Sequence, residues 1–308
     1  MHPSHVPIEA EMLRRLYLDE RLTTAEVGAR LGCNAVTVGR RLRKLGIPVR
    51  PRGPSPGYGF RRAAVIPPSR TTWSSELAYV VGLIATDGNL SSDRRHLSIV
   101  SKDVDLLETV RRCLHLTNRI TKSTGGFGTC HRVQWSDRVF YDWLLGLGLT
   151  PAKSLTLGPL AVPDEYFADF FRGCIDGDGT VLVYTDRYHS TKNERYIYER
   201  LYVSLVSASR PFLDWTRARI RALAGPDGAI NEYRKPGHRA VWVLRYAKAE
   251  SIRLIGWIYY APDVPCLNRK RAKAERFLAP LGYASGPPAG RPRVGWLYNR
   301  TPSGSGRT

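Results

Sequence analysis

Little in this 308-residue chain marks a secreted or membrane protein. Its five cysteines, Cys33, Cys113, Cys130, Cys174 and Cys266, are scattered, odd in number and without a CxxC pair. That excludes a disulfide framework and a thiolate zinc site. They read as reduced, partly buried thiols of a cytosolic protein. No uninterrupted apolar run is long enough to span a bilayer. The opening residues, MHPSHVPIEAEMLRR, lack the apolar stretch of a signal peptide. Acids are also scarce, 27 against 47 lysines and arginines, for a net charge of +20 and a pI near 10.1. An excess of this size points to a polyanionic partner, with nucleic acid the default. An anionic membrane surface is the rival, and no basic amphipathic helix stands out to serve it. The length allows one large domain or two to three small ones, with ample core.

What is present is a repeat. Val80-Val81-Gly82-Leu83-Ile84-Ala85-Thr86-Asp87-Gly88 returns as Phe171-Arg172-Gly173-Cys174-Ile175-Asp176-Gly177-Asp178-Gly179. The interval from Gly82 to Gly173 equals that from Asp87 to Asp178, the signature of an internal repeat. Each copy reads as an apolar helix with a mid-helix Gly, closing on Asp-Gly. A helix-interior Gly costs ~1 kcal/mol relative to Ala, so close approach of another backbone is the expected reason. Ala78, Gly82 and Ala85 share one face, and Phe170, Gly173 or Cys174, and Gly177 make the matching face. The Gly after each Asp suits a left-handed C-terminal position. Both acids then sit at the negative ends of helix dipoles and, if the helices pair, beside each other. A divalent cation relieves both penalties, and Mg²⁺ takes one or two carboxylates plus phosphate oxygens. A solvated Asp C-cap is the ordinary reading of one such end; two matched copies argue for a pair.

These two segments resemble the motifs of the LAGLIDADG homing endonucleases, in their single-chain, two-motif form, closely in FRGCIDGDG and loosely in VVGLIATDG. The resemblance spans residues 72–280. It implies that Asp87 and Asp178, at the eighth motif position, bind the metal, Mg²⁺ or Mn²⁺. The sixth position, often acidic, is Ala85 in one copy and Asp176 in the other, a departure that leaves the catalytic position untouched. The family also places a lysine after the closing helix of each half near the active site. Lys153, in GLTPAKS, and Lys270, in VPCLNRKR, are the candidates, with Arg269 and Arg271 competing with Lys270. Gln134 is the candidate for a polar group that orients the attacking water.

The rest of the chain reads in order. Residues 1–50 form a small all-α helix-turn-helix unit. A first helix carries Ile8, Met12, Leu13 and Leu16; Thr23 precedes a support helix; Gly32-Cys33-Asn34 is a tight turn; Ala35 to Leu45 is the recognition helix. Val36, Val38 and Leu42 are expected to face inward. Thr37, Arg40, Arg41, Arg43 and Lys44 are expected to contact DNA, with Ala35 beside them and Arg50 and Arg52 extending the basic cluster. Residues 51–71 are a basic Pro/Gly linker whose arginines track phosphates or merely solubilise a tether.

Residues 72–160 and 161–283 are two halves, each α-β-β-α-β-β-α. The fold class is α+β, a pseudo-twofold tandem with saddle-shaped antiparallel sheets. Expected strands are 97–101, 118–122 and 131–135, then 180–186, 196–207, 229–233 and 240–246, the 180–207 pair being the longest. Expected helices are 103–116, 137–147, 164–176, 210–224 and 248–258, with Ser74 or Ser75 capping the first motif helix. One sheet face packs on helices and the other meets DNA, since a β-ribbon fits the major groove. Arg187 and Arg200, in and beside the polar loop 186–195, are DNA candidates. The tail 284–308 is expected to be disordered.

The function implied is a site-specific endonuclease that cuts both strands of a long asymmetric duplex DNA site, acting as a cytoplasmic monomer that joins the nucleoid when bound. The alternative is a non-cleaving, sequence-specific DNA-binding regulator on the same fold; both acids are present here, which favours the nuclease. An RNA maturase sits poorly with a helix-turn-helix. An intein sits poorly with ends that lack Cys or Ser at the start and His-Asn at the finish. An enzyme acting on another acidic substrate is the remaining rival.

Overall fold

The computed structural model describes residues 9–49, 70–125, 128–188, 197–234, 236, 237 and 239–282. The chain divides into two compact units, Met1–Ile66 and Pro67–Thr308. Ile8, Arg50, Arg52, most of the 51–71 linker, the greater part of the 186–195 loop and the tail lie outside the described residues.

The first unit is helical. α1, Ala10–Arg14, continues as a π turn, Arg15–Asp19. α2, Thr24–Arg30, opens on a capping box: the Thr23 hydroxyl accepts from the Glu26 N–H at 3.2 Å, and the Glu26 carboxylate accepts from the Thr23 N–H at 2.7 Å. This satisfies two otherwise orphaned donors. Gly32, with φ +67°, makes the turn, and Asn34 caps α3, Ala35–Lys44, by accepting from the Thr37 N–H at 2.8 Å. Leu13, Leu16, Tyr17, Val27, Val38, Leu42 and Ile47 form one core. Two inward expectations fail. Val36 is 70% exposed and Met12 49% exposed, because the buried stripe of α3 runs through Val38 and Leu42 and that of the first helix through Leu13, Leu16 and Tyr17.

The second unit is mixed helix and sheet, built twice. α4, Ser75–Thr86, leads into β1, Gly88–Leu90, and β2, His96–Ser101, then α5, Val104–Cys113, β3, Ile120–Gly125, β4, Gly128–Ser136, and α6, Arg138–Gly146. α7, Phe167–Asp176, leads into β5, Gly179–Asp186, and β6, Tyr198–Ser207, then α8, Arg210–Ala224, β7, Ala229–Tyr233, β8, Val241–Tyr246, and α9, Lys248–Ile258. The two sheets are antiparallel, ordered β1-β2-β4-β3 and β5-β6-β8-β7. Ser74, not Ser75, caps α4 by accepting from the Leu77 N–H at 3.1 Å. Among the described residues no helix is long and apolar enough to cross a membrane.

Four features depart from expectation. β1, three residues long, is too short to show an alternation. α10, Asn268–Leu278, is a full helix where a short basic element was expected, while its counterpart is a 3-10 turn, Lys153–Leu155. Residues 164–166 form a 3-10 turn before α7 rather than its first turn. Only the β5–β6 hairpin is long: its strands have 8 and 10 residues, whereas β7 and β8, with 5 and 6, are shorter than β3 and β4, with 6 and 9. In addition Arg70, at the end of the expected linker, is tied to the second unit. It donates to the Leu114 carbonyl at 3.0 Å and pairs with the buried Asp137 at 3.1 Å.

α4 and α7 form the centre. Nine residues of α4, Leu77–Ala85, and all ten of α7 are buried. A Cβ added to Gly82 would collide with the Phe170 carbonyl oxygen and lie 2.9 Å from the Cys174 nitrogen. One added to Gly173 would collide with the Tyr79 carbonyl oxygen and lie 3.0 Å from the Leu83 nitrogen. The mid-helix glycines therefore exist to let two backbones touch. Gly173→Ala should destabilise the protein by at least ~3 kcal/mol, at the upper end for overpacking, because the obstacle is backbone. Gly146→Ala, with nothing within 4 Å, should be neutral or stabilising. Urea denaturation of the two variants reads the difference.

Candidate functional site

The close packing of α4 on α7 sets where both helices end. Asp87 is the C-cap of α4, its N–H donating to the Leu83 carbonyl. Asp178 follows α7 between Gly177 and Gly179. The glycines here are not left-handed, contrary to expectation: Gly177 has φ −73°, and neither Gly88 nor Gly179 has positive φ. They answer to lack of room instead. A Cβ on Gly88 would lie 2.5 Å from the Ile84 Cα, and one on Gly179 2.5 Å from the Ile175 Cα, as each strand folds back across its own helix. A Cβ on Gly177 would strike the Thr86 hydroxyl and lie 3.3 Å from Asp87 Oδ2. The chain leaving α7 thus runs along the end of α4, and the two acids share one neighbourhood.

Both lysines point into that neighbourhood. Lys153 is 6% and Lys270 7% exposed, so neither is a surface lysine. Lys153 follows Ala152, held left-handed at φ 54°, and its ammonium donates to the Gly88 carbonyl. Lys270, in the first turn of α10, faces four carbonyls: Ile175 at 2.7 Å, Asp176 at 2.9 Å, Gly177 at 3.2 Å and Gly179 at 2.7 Å. An ammonium has three N–H donors. Lys270 is saturated by the end of α7, whereas Lys153 has one backbone partner. Arg269 and Arg271 are engaged elsewhere, with Asp103 at 2.8 Å and Glu275 at 2.8 Å.

The electrostatics follow from desolvation. The Asp87 carboxyl is pushed up to about 6, first by burial and then by the charge of Asp178, against the pull of Lys270 and Lys153. Asp178, exposed on its outer side but backed by protein, is raised by loss of water and lowered by Lys153 and Lys270. Burial brings Lys153 down to about 8, against the two aspartates. Lys270 is lowered by burial, with Asp176 opposing most strongly.

Asp176 is a residue of this site that sequence patterns did not single out. It is 2% exposed, and its Oδ2 accepts from the Tyr79 hydroxyl at 2.9 Å, across from α4, and from the Leu267 N–H at 2.7 Å, ahead of α10. Burial lifts its carboxyl to about 6. Further up α7, Arg172, fully buried, pairs with Asp169 at 2.6 Å and donates to the carbonyls of Ile258 at 2.6 Å and Pro265 at 2.8 Å. The matching positions of α4 are Ala78, Val81 and Ala85. One motif helix is apolar and the other is threaded with charge. The acidic sixth position of FRGCIDGDG was the available signal.

The open sheet faces flank the acids. Asn89, Ser98 and Gln134 lie side by side across β1, β2 and β4, and Gln134 is exposed. Thr180, Ser204 and Arg245 occupy the same row across β5, β6 and β8. Arg187 is exposed beyond β5. Arg200 pairs with Asp186 at 3.0 Å and lies over the Tyr198 ring, 5.2 Å from its centroid. In the first unit Arg40, Arg43 and Lys44 are exposed on α3, Arg41 is half-buried, and the Thr37 hydroxyl donates to Asn34 Oδ1 at 2.9 Å. A cleft of about 420 Å³, lined by Arg70, Ser74, Glu76 and Arg112 among others, lies at the far end of α4 from Asp87.

As donors for a metal, Asp87 and Asp178 offer hard oxygens, and the repulsion between them is what a cation relieves. Among the described residues no group of three or more His, Cys, Asp and Glu side chains gathers. Two carboxylates suit Mg²⁺, which fills its shell with water and phosphate oxygens.

No family model matches the sequence, and no curated relative matches it. Solved structures do resemble the chain. A mesophilic variant of the homing endonuclease I-DmoI is 16% identical, with a TM-score of 0.43, covering 66% of this chain and 97% of its own. The I-LtrWI LAGLIDADG homing endonuclease, bound to its target DNA, is 14% identical, with a TM-score of 0.45, covering 67% of this chain and 89% of its own. Full-length DUF199/WhiA from Thermatoga maritima is 14% identical, with a TM-score of 0.43, covering 69% of this chain and 61% of its own. The chain, with its two antiparallel four-stranded sheets, matches the LAGLIDADG neighbours in α+β fold class.

The raised carboxyl of Asp87 has a thermal consequence. A group whose folded pKa lies above its unfolded value favours the folded state when protonated, so stability falls as pH rises from the ordinary carboxyl value of 3.8 through about 6, and the desolvated charge penalises folding in full above that. In chelator at pH 8, Asp87→Asn should raise the melting temperature by a few degrees. Mg²⁺ should raise that of the parent and leave the Asp87→Asn, Asp178→Asn double variant unmoved. Differential scanning calorimetry checks both.

Proposed function

We propose that the second unit is a divalent-metal-dependent, site-specific endonuclease that hydrolyses one phosphodiester in each strand of duplex DNA. The observation that carries this reading is the convergence of Asp87 and Asp178, both raised by burial and Asp87 also by the charge of Asp178, with Lys153 and Lys270 buried beside them. A carboxylate pair placed at two helix ends against the dipoles is a poor structural device and a good cation site.

Asp87 and Asp178 would hold the metal, which when bound supplies an activated water and offsets charge on the scissile phosphate. Each acid serves one strand. Lys153, with one backbone partner, stabilises negative charge developing on phosphate or lowers the pKa of the attacking water. Gln134 orients that water from the sheet. Lys270, held by four carbonyls, anchors the end of α7 and so the position of Asp178. Because the halves are unequal, the site is long and asymmetric, and one chain suffices as a monomer. Residues 1–50 act as a helix-turn-helix that adds affinity through Arg40, Arg41, Arg43 and Lys44, with Thr37 at the start of the helix. Being tethered, it raises the effective concentration of the nuclease on its site. Residues 51–71 serve as the tether, 72–160 and 161–283 as the halves.

A DNA-binding regulator that does not cut is the second reading, and the saturation of Lys270 favours it, since no N–H of that ammonium is left for phosphate. Cleavage of a target selected from a randomised duplex library, with and without Mg²⁺, decides between the two. Asp87→Asn should leave one strand intact and give a nicked product, and Asp178→Asn should spare the other strand. Full double-strand cutting by both variants would falsify the assignment. Deleting residues 1–50 should weaken binding and flatten its salt dependence. The log–log slope should drop by roughly 0.9 for each phosphate that the missing unit no longer neutralises, measured by fluorescence anisotropy.

A further inference from the structure

The two open sheet faces differ in chemistry. In β5 the buried positions are Gly179 and Val181, and in β6 Leu201, Val203 and Leu205, so Leu182, Tyr184 and Tyr202 stand on the other face. Leu182 is 40% and Tyr184 42% exposed. Leu182 pairs with Tyr202 across the strands, and Tyr184 stacks on Tyr202 with centroids 6.3 Å apart. The guanidinium of Arg245 covers the Tyr202 ring at 5.6 Å, and Arg200 is the cross-strand partner of Tyr184. The corresponding face of the first sheet presents Asn89, Ser98, Arg132 and Gln134, with Val100, the cross-strand partner of Arg132 and 36% exposed, beside them and no aromatic residue. Exposed apolar side chains in contiguous array mark a binding surface. Flanking arginines suit a polyanion. In the major groove the apolar feature is the thymine methyl group, whereas Asn, Gln and Arg read adenine and guanine edges by hydrogen bonds.

Building on duplex DNA as the partner, we propose that the two halves read their half-sites by different chemistry: Leu182, Tyr184 and Tyr202 contact thymine methyl groups, and Asn89, Ser98 and Arg132 hydrogen-bond to purine edges. The half-site facing the β5–β6 hairpin is thymine-rich on one strand. The other is specified mainly by polar contacts, with Val100 its one exposed apolar side chain.

The test uses the full chain with Ca²⁺ in place of Mg²⁺, so that binding is read apart from cutting. A randomised duplex library is selected, and the winning duplex is remade with deoxyuridine for thymine in one half at a time. That exchange removes only methyl groups. Affinity should fall about fourfold per contacted methyl in one half, the value of a buried carbon, and by at most one such step in the other. Leu182→Ser should remove about fourfold of the deoxyuridine effect, one methyl contact, and Arg132→Ala should change base preference only in the less sensitive half. Equal sensitivity in both halves, or in neither, overturns the proposal while leaving a sequence-specific nuclease intact. A methyl-sensitive half on a duplex that Mg²⁺ fails to cleave upholds it and overturns the nuclease. A library that yields no enriched sequence overturns both.

Discussion

Contact between two helix backbones is the constraint on which this molecule depends. Gly82 and Gly173 each abut a carbonyl of the opposite helix, and no side chain fits between. Helices that approach this closely must end together. Their ends carry Asp87 and Asp178, so the packing of the core decides the spacing of the acids. A shift of α7 along α4 would move Asp178, Gly177 and the carbonyls that hold Lys270 as one body. Stability and the site are therefore the same problem here, solved by the same pair of glycines.

The halves repeat a plan without repeating its chemistry. α4 is apolar throughout its buried length, and α7 carries Asp169, Arg172 and Asp176 in the same environment. Buried charges of this kind are costly unless paired, and Asp176 keeps its Oδ1 without a hydrogen-bond partner among the described residues. Arg172 finds Asp169, two carbonyls and the faces of Tyr79 and Tyr260, 5.5 Å and 5.7 Å from their centroids. Asp176 bridges α4 to the segment before α10. The second half thus gains an extra helix and the polar network that docks it, and Lys270 comes in on that helix. Lys153 arrives on a single turn and is held by one carbonyl. Two lysines that look equivalent by position are held in unequal ways.

The same asymmetry continues onto the sheets. The row beside Asp87 carries Gln134 on β4, and the row beside Asp178 carries Arg245 at the matching place on β8. The long β5–β6 hairpin presents leucine and tyrosine where the first sheet presents asparagine, serine and glutamine. The two sheet faces are thus two different surfaces under one pseudo-twofold frame.

The sequence by itself determined the repeat, the helices that carry it, the order of strands and helices, and the acids at the helix ends. These follow from local rules: periodicity, capping at Ser74 and Thr23, and the improbability of glycine inside a helix. It also disclosed Lys153 and Lys270 as candidates, through resemblance rather than chemistry. The tertiary structure alone decided what those residues touch. Gly88 and Gly179 fit a local account as left-handed caps, yet they are small because each strand folds back across its own helix, as Gly177 is small because the end of α4 crosses it. Val36 fits an apolar periodicity but faces water, because the core of its unit is filled by Val38 and Leu42. Asp176 reads locally as a motif letter of no consequence. Its hydroxyl and amide donors come from Tyr79 and Leu267, far away in the chain, and no local pattern encodes contacts of that range.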